Sequence, residues 1–176
     1  MAELPGSRKL WPLLKLVIFT LLVPCSVTVW LPYWFYGTRL EWRAAQFWGW
    51  TLGGIICVLL GAIGYLWCGL DFTIAGQGTP APIDPPKILV ARGLYRFVRN
   101  PMYISVLLVL LGESLLFRSA NLLRYAGIFS AGVFCFVWLY EEPTLRKKFG
   151  ASYRQYCEEV PRWIPRIPRK KQDHAL

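Results

Sequence analysis

The chain is 176 residues long, 55% hydrophobic and only 17% charged, with a positive mean hydropathy and a formal net charge of +10. Such a composition cannot cover a soluble globule of this size with polar surface, which points to a membrane protein and leaves no length for a separate soluble domain. The expected fold class is an all-α membrane protein, a single integral membrane domain over residues 1–176 with about four transmembrane helices, cytoplasmic termini and interfacial amphipathic helices. Open strands are excluded in lipid by the cost of unpaired backbone groups.

After a short basic lead, the first apolar segment runs from about Leu13 to Trp34, with Pro12 suited to a first helical position and Pro24 placed to kink it. Trp30, Tyr33, Trp34, Phe35 and Tyr36 read as an interfacial aromatic belt. The turn from Gly37 to Gln46 is polar. The second helix, about Phe47 to Leu70, carries Gly49, Gly53, Gly54, Gly61, Gly64 and Gly69, small residues that let helices pack closely.

A loop from Asp71 to Pro101 follows, opening with Gly76-Gln77-Gly78 and continuing through Pro80, Pro82, Pro85 and Pro86. The glycines allow the backbone to approach a ligand and the prolines hold the rest extended, although the same composition suits a plain linker. Arg92, Arg96 and Arg99 fall on one helical face, with Leu94, Phe97 and Val98 supplying apolar contact. This stretch is expected along the membrane surface, anchoring phosphates or meeting a ligand.

The third helix, about Met102 to Phe117, starts at Asn100-Pro101, where Asn100 suits an N-cap and Pro101 a first-turn position. Its free N–H groups would face the cytoplasmic interface, where an anionic group can bind. Within it Glu113 is functional, snorkels to the interface or pairs with Arg118. The short turn from Arg118 to Leu122 forces an antiparallel hairpin with the fourth helix, about Leu122 to Tyr140. Glu141-Glu142 is thereby brought level with Arg99-Asn100-Pro101-Met102-Tyr103. At a helix C-terminus two carboxylates oppose the macrodipole, so helix stability does not explain them. Pairing with Arg146 or Lys147 is the structural alternative. In the C-terminal region 141–165, Leu145, Phe149, Tyr153, Tyr156 and Val160 lie along one side of an interfacial helix or of a pair broken around Gly150, and a basic tail covers 166–176.

With these helices in place, sixteen of the twenty Lys and Arg residues fall on one side, which the positive-inside rule makes cytoplasmic for a multi-pass protein with both termini there. The basic excess is then topology and attraction to anionic membrane lipids, with no nucleic-acid partner. The five cysteines have no metal or redox spacing and read as small buried hydrophobes. The single histidine, His174, argues against a Ser-His-Asp triad, an HExxH site or a histidine-rich centre, so no metal is expected. A pocket of glycines, arginines, a helix N-terminus and two carboxylates suits a zwitterionic, cationic cofactor.

From about Gly76 to Pro165 the chain resembles the integral membrane methyltransferases that include isoprenylcysteine carboxyl methyltransferases and phospholipid N-methyltransferases. In that family an Arg-His-Pro-x-Tyr motif opens a transmembrane helix and a Glu-Glu pair ends the next, together forming the S-adenosylmethionine site. Arg99-Asn100-Pro101-Met102-Tyr103 and Glu141-Glu142 are similar, with Asn100 in place of the histidine. Gly76-Gln77-Gly78 resembles the glycine motif of the phospholipid branch, and Phe149-Gly150, Tyr153, Tyr156 and Val160-Pro161-Arg162 resemble the family's C-terminal region.

The resemblance implies S-adenosylmethionine as cofactor, held by Gly76, Gln77, Gly78, Arg99, Asn100, Pro101, Tyr103, Glu141 and Glu142, and a lipid or lipophilic small-molecule substrate. Arg99, Tyr103 and Arg162 are the residues expected to serve the transfer. A carboxylate acceptor would want an arginine, which Arg92, Arg96, Arg99 or Arg162 offers, whereas an amine must lose a proton and no histidine is available. That weighs slightly toward carboxyl O-methylation of an isoprenylcysteine-like substrate over N-methylation of a phosphatidylethanolamine-type lipid. A non-catalytic lipid-binding or scaffold protein is the reading from another class, and a sterol-reductase-like enzyme would want more helices.

Overall fold

A computed structural model describes residues 7–36, 48–75 and 88–167. The elements are α1 (Ser7–Leu22), a π-helical turn (Ser26–Trp30), α2 (Leu31–Tyr36), α3 (Trp48–Ala75), a 3₁₀ turn (Gly93–Arg96), α4 (Pro101–Leu116), α5 (Ala120–Phe136), a second π-helical turn (Val137–Glu141) and α6 (Glu142–Glu159). All of these are helical, and the protein is an all-α membrane protein. Three stretches are long and apolar enough to cross a bilayer: Leu14–Trp34, Gly49–Ile74 and Ala120–Glu159. The expected third crossing is the shorter α4, whose 16 residues span about 24 Å at 1.5 Å per residue.

The body of the molecule is the antiparallel contact of α3 with α4, the most extensive between any two elements. Lipid gives apolar helices no hydrophobic reason to associate, so close backbone approach must supply the attraction. A Cβ added at Gly61 would lie 2.5 Å from the Ser105 carbonyl oxygen, and one at Gly112 would lie 2.7 Å from the Gly54 carbonyl oxygen. The two backbones touch along this line, with Leu110 and Val106 buried beside it. Ser105 also sits in this seam, its hydroxyl satisfied by the Pro101 carbonyl at 2.8 Å.

α1 lies antiparallel to α3. Leu16 fills the space over Gly69, and the hydroxyls of Thr20 and Tyr65 meet at 2.9 Å. Tyr125 of α5 donates to the Val27 carbonyl at 2.9 Å. The start of α1, the end of α3 and the start of α4 therefore share one end of the bundle.

Both π-helical turns precede a proline by one intervening residue, Pro32 and Pro143. A proline ring presses on the carbonyl four residues back and offers that carbonyl no N–H, and a widened turn relieves both. Glu142 accordingly donates its N–H to the Val137 carbonyl, five residues back. The helix does not end at Glu141-Glu142 as expected from the sequence. It runs on to Gly150, whose φ of 54° turns the chain back so that Tyr153, Tyr156 and Val160 pack onto Leu89, Leu145 and Phe149. The pair thus sits inside a helix at a widened turn, where no helix C-terminus opposes its charge.

The three arginines expected on one helical face are also rearranged. Only Gly93–Arg96 is helical there, as a 3₁₀ turn, so Arg92 and Arg99 point to different partners. Arg92 Nε donates to the buried Asp71 at 2.8 Å, tying this segment to the end of α3. The clamp is tight enough that a Cβ on Gly93, where φ is +54°, would collide with Asp71 Oδ2.

Candidate active site

At the end of the bundle shared by α3 and α4 lies a cavity of about 170 Å³. The end of α3 contributes Phe72, the segment before α4 contributes Val90, Tyr95, Arg99 and Asn100, and α4 contributes Tyr103. The widened turn and α6 supply Val137, Tyr140, Glu141, Glu142 and Phe149, with Tyr153 and Tyr156 beyond the bend. The walls are largely aromatic. Phe72 and Tyr95 meet edge to face at 5.3 Å, and Tyr156 donates to the Tyr95 carbonyl at 2.7 Å. Burial pushes the Tyr95 phenol well above its usual pKa, so it stays a neutral O–H.

The two glutamates are adjacent in sequence and unlike in circumstance. Glu141 accepts a hydrogen bond from the Tyr103 hydroxyl at 2.8 Å and, among the described residues, forms no ion pair. Glu142 is buried, with 4% of its surface exposed. Arg162 grips it with a two-pronged fork, Nε to Oε1 and Nη2 to Oε2, both at 2.7 Å. Arg99 Nη1 adds a third bond at 3.0 Å, and Arg146 lies 3.9 Å from Oε2. Hydrogen bonding to Glu142 raises the Arg162 pKa, so the guanidinium stays charged.

The segment after α6 is stitched to the segment before α4. Arg99 donates its N–H to the Pro161 carbonyl at 2.9 Å, and Arg166 donates its own to the Phe97 carbonyl at 2.9 Å. Asn100 stands at the cap position of α4, but its side chain does not cap that helix as expected. Its amide turns away and donates to the Arg162 carbonyl at 3.1 Å.

Of the residues expected from the sequence, Arg99, Asn100, Tyr103, Glu141 and Glu142 line this one cavity. Pro101 is buried at the start of α4, and Arg162 stands behind Glu142; neither is among the lining residues. Gly76, Gln77 and Gly78 lie outside the described residues, as does the tail from residue 168. Sequence reasoning missed Phe72, Tyr95 and Tyr140 as wall residues and Asp71 as the partner of Arg92. The available signal for Asp71 was a carboxylate closing a long apolar run, which needs a cation to be buried.

The cavity has an uncompensated carboxylate, Glu141, and a guanidinium, Arg99, among its lining groups. Arg99 Nε is buried without a partner among the described residues. A molecule carrying both a positive and a negative group matches this donor and acceptor set. Residues 48–152, more than half of the chain, match the family model described as phospholipid methyltransferase. Searches of curated proteins and of solved structures return no match.

Proposed function

The chain belongs to the phospholipid methyltransferase family, and from that premise we propose that it uses S-adenosylmethionine to methylate the amine of a membrane lipid at the cytoplasmic face. The observation that carries this reading is the unequal state of the two glutamates. Of the four arginines suited to a carboxylate acceptor, Arg162 is held by Glu142, Arg92 by Asp71, and Arg99 is bonded to Glu142 through Nη1 with its Nε left over for one further group. Glu141, by contrast, presents negative charge to an aromatic cavity, and among the described residues its one hydrogen-bond partner is the Tyr103 phenol. Aromatic faces and a carboxylate together attract cations. This favours an ammonium-bearing acceptor over the isoprenylcysteine-type carboxylate that arginine content alone suggests.

S-adenosylmethionine, when bound, supplies an electrophilic methyl group on a sulfonium. Arg99, with its unpartnered Nε, would hold the cofactor carboxylate, and Glu141 would favour its positive groups. The aromatic walls exclude water, and displacement at carbon needs alignment more than it needs a strong base. Glu141 is also the group in the cavity placed to take a proton from an incoming ammonium, with Tyr103 fixing the orientation of its carboxylate. The positive-inside count supports four crossings with the cavity end and both termini in the cytoplasm, α4 completing the fourth by packing along α3.

Calorimetric binding of S-adenosylhomocysteine to the detergent-solubilised protein tests the cofactor. Glu141→Gln is expected to weaken binding about tenfold, the loss of one charge-assisted contact. An absence of binding by the parent protein sinks the enzyme reading and leaves a non-catalytic lipid-binding role. Labelled methyl transfer into phosphatidylethanolamine vesicles, set against a prenylated cysteine substrate, tests the acceptor. Transfer to the prenylated cysteine alone overturns the amine assignment.

A further inference from the structure

We propose that Glu142 is a positioning residue: it locks the C-terminal strap 160–166 onto the entry to α4, and Glu141 alone of the pair meets the bound molecules. The proposal rests on reading the cavity as the methyltransferase site, and it goes beyond that reading by dividing the labour of two adjacent carboxylates.

A carboxylate can accept only so many bonds. Its two oxygens offer about four lone-pair directions. Three of these on Glu142 are taken by charged donors, two from Arg162 and one from Arg99. A ribose hydroxyl or an amino group would have to displace a charge-assisted bond to reach it, and each such bond is about twice as strong as a neutral one. Glu142 lines the cavity with only 4% of its surface exposed, and its lone pairs point largely at the two guanidiniums.

What Glu142 joins is more telling. Arg162 belongs to the strap and Arg99 to the segment entering α4. Their side chains converge on one carboxylate while their backbones are already paired through Arg99 N–H to Pro161 and Arg166 N–H to Phe97. The Asn100 amide adds a bond to the Arg162 carbonyl. Arg99 Nη1 also reaches Cys157 Sγ at 2.8 Å, within the last turn of α6. The Arg162–Glu142 fork joins the strap to α6, the other bonds cross from the strap or α6 to residues 97–100, and Glu142 is the anion that lets two guanidiniums lie together there. Without its charge, Arg99 and Arg162 repel across the junction. The strap then lifts, and Arg99 and Asn100 lose the geometry in which they line the cavity.

The experiment compares amide hydrogen exchange and S-adenosylhomocysteine binding in full-length parent, Glu142→Gln, Glu141→Gln, Arg162→Gln and the Glu142→Gln/Arg162→Gln double variant. In ligand-free protein, Glu142→Gln and Arg162→Gln are each expected to speed exchange at Arg99 and Arg166 at least about tenfold, one broken charge-assisted bond. Glu141→Gln should leave that exchange within about twofold while weakening cofactor binding. In binding, the double variant should be no weaker than Glu142→Gln alone, because both changes release the same strap. Additive losses, or lost binding with unchanged exchange in Glu142→Gln, would show that Glu142 touches the cofactor and overturn the proposal. If Glu142→Gln does not fold, Arg162→Gln decides the exchange question by itself, and unchanged exchange there overturns the proposal. Exchange is read without ligand, so a parent protein that binds no cofactor refutes the enzymatic reading separately.

Discussion

The α3–α4 seam and the cavity end hold the same helices together by opposite means. Along the seam, side chains are removed until backbones touch, with Gly61 against Ser105 and Gly112 against Gly54. At the cavity end, large and charged side chains are added: Asp71 with Arg92, Glu142 with Arg99 and Arg162, and tyrosines between them. Lipid makes the first solution work, since van der Waals contact is what remains when no water drives association. The second needs an interface, where charges can be partly solvated and a polar ligand can enter. The seam should therefore govern stability and tolerate no volume, whereas the cavity end should govern binding and tolerate no change of charge.

The largest effect expected on this contrast comes from the seam. In Gly61→Ala the added methyl would lie 2.5 Å from a backbone oxygen, which cannot move aside as a side-chain tip can. Overpacking of this kind costs about 2–3 kcal/mol, read as a lower midpoint of thermal unfolding in detergent. Cofactor affinity of the fraction that stays folded should be unchanged. Parent-like stability would mean that the helices do not pack backbone to backbone.

Next is Gly93→Ala, which tests the junction between the two regions. The substitution forces a left-handed conformation on a residue with a Cβ, costing about 1–2 kcal/mol, and drives that Cβ into Asp71. The damage should be local. Proteolysis or hydrogen exchange should increase across 88–96 while α3 and α4 stay protected, and uniform loss of protection would mean that the clamp and the seam are one cooperative unit.

Much of the seam and the membrane class was legible because apolar length, glycine content and charge asymmetry are properties of composition along the chain. The convergence of Arg99, Tyr103 and Glu141 was legible too, since a short turn from Arg118 to Leu122 leaves the third and fourth helices few ways to lie. The Glu141-Glu142 pair was harder to read. Pro143 looks like a helix end, yet a widened turn absorbs it, and the helix passes through to Gly150. Asn100 looked like a cap because local chemistry favours it, and the Arg162 carbonyl, 62 positions away, outcompetes that role. The arginine face failed for the same reason, as Asp71 and Glu142 draw Arg92 and Arg99 in different directions. Local propensity cannot report a partner supplied by the fold.

A smaller effect, confined to the cavity, is expected from Tyr103→Phe. It removes the hydroxyl that holds Glu141 and leaves the ring in place. Binding of S-adenosylhomocysteine should weaken by about 1 kcal/mol, the scale of one hydrogen bond, with the unfolding midpoint nearly unmoved. A drop in stability with intact binding would make Tyr103 a packing residue.

The smallest effect is the most discriminating for the seam, because it uses the same substitution on a glycine that looks the same in sequence. Gly132 lies in apolar α5, as Gly61 lies in apolar α3, but among the described residues nothing stands within 4 Å of where its Cβ would be. Gly132→Ala should therefore stabilise the protein by about 0.5 kcal/mol by restricting the unfolded chain, opposite in sign to Gly61→Ala. If both substitutions destabilise equally, glycine matters here for helix flexibility, and the backbone contact between α3 and α4 is not what holds the bundle. If the signs differ as expected, contact geometry separates two glycines that composition could not.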